Sequence, residues 1–144
     1  MSITVEVATS ATGQLLDALN HLLPQLSSSA PPLTMADLEV LVESDAVTLL
    51  LATNGDSVVG TLTLVTFPIP TGQRAWIEDV VVDSDARGLG VAAALTTAAI
   101  DVATSLGART VDLTSRPSRE AANALYKKLG FELRETNVYR FSLD

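Results

Sequence analysis

The residues with the clearest chemical potential form a glycine-containing turn between an apolar strand and an apolar helix. The strand ends at Val80-Val81-Val82, and the turn passes through Arg87, Gly88 and Gly90. Glycine lets the backbone approach a ligand closely, and the first turn of a helix presents N–H groups that have no partner inside the helix. The helix dipole adds positive potential there, and Arg87 adds a formal charge. The pattern predicts a phosphate-binding turn, with a plain packing role for the glycines as the alternative.

Gly88, Gly90 and Ala93 also match a relaxed dinucleotide-binding fingerprint, and Asp112 follows at a distance that suits a ribose contact. A dinucleotide-binding fold opens with this fingerprint and continues through several strand-helix units. Only one further helical pattern follows here, so the nicotinamide interpretation is disfavoured.

A second block of interest is the helical pattern that contains Tyr126. Residues 121–131 read AANALYKKLGF, and residues 87–92 read RGLGVA. In this order, the two blocks resemble the GNAT superfamily of N-acetyltransferases, which use acetyl-coenzyme A. The first satisfies the family's Gln/Arg-x-x-Gly-x-Gly/Ala signature, and the second is similar to its Ala-x-x-Leu-Tyr-x-x-x-Gly-Phe block. The match covers residues 75–131, whereas residues 1–74 agree only in their order of elements.

The resemblance implies a role for each part of the turn. The backbone of Val80, Val81 and Val82 would pair with the pantetheine arm, where the family splays two strands. Arg87 would stand at the loop entrance, and Arg119, where many members carry asparagine, could reach a coenzyme phosphate. The pyrophosphate would be held by the backbone N–H groups of Gly88, Leu89, Gly90, Val91, Ala92 and Ala93.

The resemblance also implies a general acid at Tyr126. A phenol, with an unperturbed pKa of about 10, stays protonated at neutral pH and can donate to a leaving thiolate. Arg119, Ala122 and Tyr126 are spaced to share one helix face, which we expect to meet the ligand. The opposite face, with Ala121, Leu125 and Leu129, is expected to pack on the core.

An amine acceptor must lose a proton, and Glu78 is the preferred base. Glu78 and Asp79 lie on the strand before the turn, on opposite faces, and Glu78 shares a face with Val80 and Val82 unless a bulge intervenes. The resemblance makes a bulge expected at this strand, so Asp79 and a water relay stay as alternatives. The base position of members that acetylate protein N-termini falls on Thr114, which carries no charge.

The spacing of apolar residues predicts the order β-α-α-β-β-β-α-β-α-β-β. This is one α/β domain over residues 1–144, with a mixed, mostly antiparallel sheet flanked by helices. Asn54-Gly55 predicts a tight hairpin with both residues at positive φ, and Pro24 should kink or shorten the first helix. Strands are predicted at residues 3–7, 47–53, 58–67, 75–82, 110–114, 131–134 and 138–143, and helices over the leucines of 15–26, from Thr34, at 91–106 and at 119–128.

Composition excludes several chemistries. The 144 residues contain no cysteine and a single histidine, His21, so disulfides, thiolate metal sites and cysteine nucleophiles are absent. A zinc site is nearly excluded, and no metal is expected. A structural or surface role suits His21 better than that of a triad base.

Charge is distributed unevenly along the chain. Residues 1–73 hold seven acids and no lysine or arginine, and residues 74–144 hold ten acids and all nine positive charges, which gives −7 and −1. The total of −8 disfavours nucleic acid as a partner. A cationic amine acceptor is compatible with the acidic half.

The sequence shows no secretion signal and no membrane span, because the uncharged stretch 57–73 alternates and contains turn residues. These features predict a cytoplasmic protein without a membrane partner; a homodimer is compatible with such a fold.

The acceptor should lie among the first two helices, the loop 27–32 and the last strands, with lining candidates Phe67, Trp76, Tyr139 and Arg140.

The predicted function is therefore acetyl-coenzyme A-dependent acetylation of an amine of a small molecule or peptide. The alternative is a non-catalytic acyl-coenzyme A-binding module of the same fold.

Overall fold

The computed structural model describes residues 2–144. The chain forms two compact units, of which the first ends at Leu113 and the second comprises Thr114–Asp144. The elements of the first unit are β1 (Ile3–Val7), α1 (Gly13–Leu26), α2 (Met35–Glu43), β2 (Val47–Asn54), β3 (Ser57–Ile69), β4 (Gly72–Val82), α3 (Val91–Ser105) and β5 (Val111–Asp112). The second unit contains α4 (Glu120–Lys128).

The five strands form one sheet in the order β1-β2-β3-β4-β5. The first four are antiparallel, and β4 and β5, which α3 connects, are parallel. The sheet is therefore mixed and mostly antiparallel, as predicted. The uncharged stretch at 57–73 comprises β3, the turn after it and the first two residues of β4. No helix among residues 2–144 is long and apolar enough to cross a membrane.

The helices cover both faces of the sheet because successive residues of a strand point to opposite sides. Leu49 and Leu51 of β2 pack with Leu15, Leu19 and Leu38 of α1 and α2 in one buried cluster. On the other face, α3 buries its apolar side against the strands. The helix approaches the sheet closely at Gly60 of β3, where an added Cβ would lie 2.8 Å from Cγ1 of Val91 and 3.2 Å from Cδ1 of Leu95.

Local signals define the element ends. Helix α2 begins directly after Thr34, as predicted, and Thr34 caps it in a reciprocal capping box with Asp37. Helix α1 runs through Pro24 to Leu26, so the proline does not shorten it at that point.

The hairpin between β2 and β3 is antiparallel as predicted, but Asn54 pairs with Ser57. The tight loop is therefore Gly55-Asp56, and only Gly55 has positive φ, because the register places Asn54 inside the strand.

The last two predicted strands, at 131–134 and 138–143, do not form, and the part of the chain after α4 contains no strand. Leu133, Tyr139 and Phe141 are 85%, 88% and 86% exposed. Alternation of apolar and polar residues in the sequence indicates only which side of a strand would be buried. A strand also needs a neighbouring backbone to take its N–H and C=O groups, and the pattern does not supply one.

The prediction that Tyr126 lies on the opposite face of α4 from the leucines is also wrong. Ala121 is exposed, whereas Ala122, Leu125, Tyr126 and Leu129 are all partly buried. These four residues are spaced i, i+3, i+4 and i+7, which is one continuous stripe of a helix. Tyr126 therefore shares its side of α4 with the leucines.

Candidate functional site

Strand β4 contains a bulge immediately before the three valines. Thr63 and Thr61 of β3 pair with Glu78 and Val81, so a step of two residues in β3 matches a step of three in β4. Asp79 lies inside this step with φ at +49°, the one non-glycine residue at positive φ in the described chain. The extra residue bends the strand and changes its alternation. The bulge that the family resemblance led us to expect is confirmed.

The bulge reverses the faces predicted for Glu78. Its partner Thr63 is opposite Leu49 of β2, so Glu78 lies on the α1 and α2 face of the sheet. Val81 is on the same face, whereas Val80 and Val82 are on the other. The prediction that Glu78 shares a face with Val80 and Val82 required an unbroken strand and is wrong for that reason.

The carboxylate of Glu78 is exposed and held in place by an aromatic neighbour. The indole Nε1–H of Trp76 donates to Oε2 of Glu78 at 2.6 Å. Residues i and i+2 of a strand share a face, so the regular part of β4 brings this pair together. The side chain of Asp79 is also exposed and makes no such contact within residues 2–144. Glu78 is therefore the positioned carboxylate of the two.

Beyond Trp76, the outer edge of β4 has no strand partner among the described residues. Its pairing with β5 consists of Ala75 with Val111 and Trp76 with Asp112, and β5 ends there. The strand predicted at 110–114 is thus shorter than expected. The stretch 77–82 of β4 keeps backbone groups that are free of the β4–β5 ladder, and these can bind an extended ligand as an added strand.

The turn after β4 gives α3 an uncapped N-terminus. Gly88 and Gly90 have φ of +82° and +77°, and Gly90 is the N-cap without a side-chain hydrogen bond. The first bond of the helix runs from the N–H of Ala94 to the carbonyl of Gly90 at 3.0 Å. Within residues 2–144, no acceptor is found for the N–H groups of residues 88–93.

The space above this turn is open. A Cβ atom at Gly88 or Gly90 would meet nothing within 4 Å, and Arg87 and Leu89 are exposed. Val91 is buried, and Ala92 and Ala93 are partly buried. Free N–H groups beside positive-φ glycines form a concave site for an anion, which the helix dipole reinforces. This arrangement suits the pyrophosphate of a coenzyme.

Two side chains of α1 fasten the start of the same turn, a contact that the sequence analysis missed. His21 Nε2 lies 3.2 Å from Oδ2 of Asp83, and the N–H of Ser84 donates to Oε1 of Gln25 at 3.0 Å. The N–H of Asp85 holds the pKa of Asp83 below its usual range, against a smaller opposing effect of burial, and His21 adds to the lowering. The signal was the i, i+4 spacing of His21 and Gln25, which places both on one face of α1.

The second unit holds Tyr126 and Arg119. Burial raises the pKa of the Tyr126 phenol, and the charge of Arg119 opposes this shift. The phenol ring contacts Phe131 edge to face, with centroids 5.7 Å apart. Arg119 is the N-cap residue of α4, and the amide of Asn123 donates to the carbonyls of Arg116 and Arg119 at 2.9 and 2.8 Å. The helix start and the tyrosine are thus fixed within this unit.

Among residues 2–144, no group of three or more histidine or acidic side chains is arranged to hold a metal ion. The free backbone N–H groups, the open strand edge and the guanidinium of Arg87 are donors suited to phosphate and amide groups.

Comparisons with known proteins agree with this geometry. The model of the acetyltransferase (GNAT) family matches residues 15–131. N-alpha-acetyltransferase 30 of Schizosaccharomyces pombe (strain 972 / ATCC 24843) is 35% identical over 74 residues, which are 51% of this chain and 49% of that protein. The matched stretch therefore spans about half the length of this relative.

Two solved structures align along nearly the whole chain. A protein of Agrobacterium tumefaciens str. C58 that is assigned as an acetyltransferase is 27% identical, with a TM-score of 0.83 over 99% of this chain and 100% of that one. A transcriptional regulator of Bacillus halodurans C-125 is 26% identical, with a TM-score of 0.82 over 98% and 100%. The family match covers most of the sequence and agrees with the mixed sheet. The chain belongs to the GNAT family of acetyltransferases.

Proposed function

We propose that the protein transfers an acetyl group from acetyl-coenzyme A directly to an amine of a small molecule or peptide. The observation that carries this proposal is the combination at the end of β4. A strand edge free from residue 77 to 82 leads into a helix N-terminus with two positive-φ glycines and no cap. The first feature suits the amides of a pantetheine arm, and the second suits a pyrophosphate.

Each site residue predicted from the sequence has a place in this proposal. The backbone of Val80, Val81 and Val82 pairs with the pantetheine arm. Arg87 contacts a phosphate at the entrance of the turn, and Arg119 contacts a further phosphate of the coenzyme. The pyrophosphate is held by the N–H groups of Gly88, Leu89, Gly90, Val91, Ala92 and Ala93.

Acetyl-coenzyme A supplies a thioester whose carbonyl carbon the acceptor amine attacks. Glu78 accepts the proton that the amine loses, and the Trp76 indole keeps the accepting carboxylate in one position. Tyr126 donates its phenolic proton to the sulfur as the C–S bond breaks. The products are the N-acetylated acceptor and the free thiol, and solvent returns the proton from Glu78 to the tyrosine.

The environment of Tyr126 supports its role as the acid. Because burial raises the pKa of the phenol, the side chain stays protonated throughout the neutral range. Its proton is lost only as the pH rises through this raised pKa. The rate should therefore hold on the alkaline side until above about pH 10, the ordinary pKa of tyrosine.

Isothermal titration with acetyl-coenzyme A tests the binding half of the proposal, and the appearance of free thiol with a panel of amines at pH 8 tests the chemical half. We expect one coenzyme per chain and turnover with a subset of the amines. Tyr126→Phe should lower kcat by about 10²-fold or more, as loss of a general acid does, with the coenzyme affinity unchanged. Absence of binding at millimolar acetyl-coenzyme A contradicts the proposal, and binding without turnover favours the non-catalytic module.

A further inference from the structure

The first half of β4 carries a row of three side chains on one face. Arg74, Trp76 and Glu78 pair in unbroken register with Phe67, Val65 and Thr63 of β3, so all three point to the α1 and α2 side of the sheet. We call this row the β4 strip. The Cα atoms of Arg74 and Glu78 are separated by four residues, or about 13 Å along a strand.

Two guanidinium groups converge at the Arg74 end of the β4 strip. Arg74 Nη2 donates to Oγ1 of Thr71 at 3.0 Å, and Arg109 Nη1 donates to the carbonyl of the same residue at 2.8 Å. Gly72 makes the second contact possible, because a Cβ atom there would lie 2.7 Å from Cδ of Arg109. Both charges are therefore held against one turn residue.

These two arginines lack acidic partners. Within residues 2–144, neither Arg74 nor Arg109 forms an ion pair with a carboxylate. Nη1 of Arg74 is shielded from solvent and has no hydrogen-bond acceptor, whereas Arg109 is exposed. A buried donor without a partner is a cost that the fold normally avoids. A carboxylate that enters beside the exposed Arg109 side chain would accept hydrogen bonds from both guanidinium groups, offset one of their two charges and satisfy this donor.

The other end of the β4 strip is negative. Glu78 is exposed there, and Asp112 of β5 is in register with Trp76, next to the middle of the row. The strip therefore presents the carboxylate of Glu78 at one end, that of Asp112 beside its middle and guanidinium groups at the other end. A ligand that complements it carries an amine at one end and an anionic group about 13 Å away.

We propose that the β4 strip binds the acceptor and that Arg74 and Arg109 together hold a carboxylate of that acceptor. This inference rests on the proposed function for the role of Glu78 and names the acceptor class. An extended peptide rises about 3.3 Å per residue, so the preferred acceptor is a peptide with a carboxylate about four residues from its amino terminus.

The inference refines the expectation, drawn from the acidic first half of the chain, that a cationic amine acceptor is compatible with this protein. Exposed charges farther away than the Debye length, about 8 Å at physiological salt, are largely screened. Groups that touch the ligand therefore decide its preferred charge, and on the β4 strip these groups have both signs.

Trp76 provides a direct binding measurement, because it is the single tryptophan of the chain and lies between the two ends of the strip. The probes are Ala-Ala-Ala-Glu and Ala-Ala-Ala-Gln, both with amidated carboxyl ends, titrated while tryptophan fluorescence is recorded. The glutamate peptide should bind about tenfold more tightly, as one charge-assisted contact provides. Raised salt should reduce the difference.

Arg74→Gln and Arg109→Gln should each abolish most of this preference. Arg134→Gln, which removes the same charge from a side chain without hydrogen bonds or ion pairs among residues 2–144, should retain it. Arg109 is exposed, so its variant tests the inference even if Arg74→Gln fails to fold. Equal affinity of the wild type for the two peptides overturns the inference, and so does an undiminished preference in Arg109→Gln.

Turnover separates this inference from the proposed function. If the protein acetylates both peptides with equal kcat/KM, the acceptor inference is wrong and the proposed function stands. If neither peptide is acetylated but the fluorescence preference depends on Arg74 and Arg109, the carboxylate site stands and the proposed chemistry on these peptides is contradicted.

Discussion

The two parts of β4 on either side of Asp79 differ in how they can recognise a ligand. Before the bulge, from Gly72 to Glu78, the register is regular and the side chains carry the chemistry. After it, the Val80–Val82 stretch offers a backbone edge that is not paired with β5. Asp79, a single residue at positive φ, separates these two parts of β4. Side chains can select an acceptor, whereas backbone groups suit a coenzyme whose amides and phosphates need only donors and acceptors.

Replacement of the positioned carboxylate tests the part before the bulge and has the largest expected effect. Glu78→Gln keeps an oxygen for the Trp76 indole but cannot accept the amine proton. We expect kcat to fall about 10²-fold, the usual range for a general base, with little change in the Kd of acetyl-coenzyme A. Steady-state kinetics and calorimetry on the same preparations check this. If Asp79→Asn loses activity and Glu78→Gln does not, the base assignment is reversed.

The part of β4 after the bulge is supported by the close packing of α3 on the neighbouring strand β3. Gly60→Ala places a Cβ atom 2.8 Å from Cγ1 of Val91, the first residue of α3. Such overpacking should lower the free energy of unfolding by about 1–3 kcal/mol, measured by urea denaturation. Gly13→Ala is the matched control, because a Cβ there meets nothing within 4 Å. Equal stability of the two variants would show that the helix start adjusts freely.

Two glycines at opposite ends of α3 separate backbone strain from ligand binding. Gly90 and Gly107 have φ of +77° and +78°, and neither has a neighbour in the way of a Cβ. Alanine should cost each variant about 1–2 kcal/mol of stability. Only Gly90→Ala should also weaken acetyl-coenzyme A binding, by about tenfold, because it disturbs the N–H groups of the turn. The same loss in Gly107→Ala would place the coenzyme elsewhere.

The smallest expected effect concerns the contact of Asp83, at the start of the turn, with His21 of α1. The pKa of Asp83 is lowered in the fold, so its carboxylate stabilises the protein above the unfolded value of about 4, and this contribution is lost as the pH falls through the folded pKa. Asp83→Asn should lower Tm by about 1–2 °C at pH 7 and flatten its pH dependence between about pH 5 and 3. Thermal melts across this range, with Asp85→Asn as the control, measure the difference. Identical pH profiles of Asp83→Asn and the wild type would contradict the role of Asp83.

Structural features that depend on a local sequence pattern were predicted correctly. Thr34 marked the start of α2, where it forms a capping box with Asp37, and leucines of α1 pack inward at the spacing that they show. Gly107 follows α3 at positive φ, as a helix-ending glycine should. In each case the interacting residues lie within a few positions of one another, so the chain itself specifies the contact.

Pairings between distant segments were less predictable. The faces of Glu78 and Val80 depended on one extra residue at Asp79, which only the register against β3 reveals. The contact of His21 with Asp83 joins residues 62 positions apart. The alternation at 131–143 did not identify a strand partner. A sequence pattern gives the face that a residue prefers, but the partner depends on the assembled sheet.

The most direct test of the coenzyme assignment is amide NMR of the ¹⁵N-labelled protein during titration with coenzyme A. The account predicts that the largest shifts occur at the N–H groups of residues 80–82 and 88–93, the open edge of β4 and the uncapped turn of α3. Smaller shifts should follow at Asp83 and Ser84, which connect these two stretches. If the largest shifts instead cluster elsewhere and the amides of Gly88 and Gly90 do not move at saturation, the assignment is wrong.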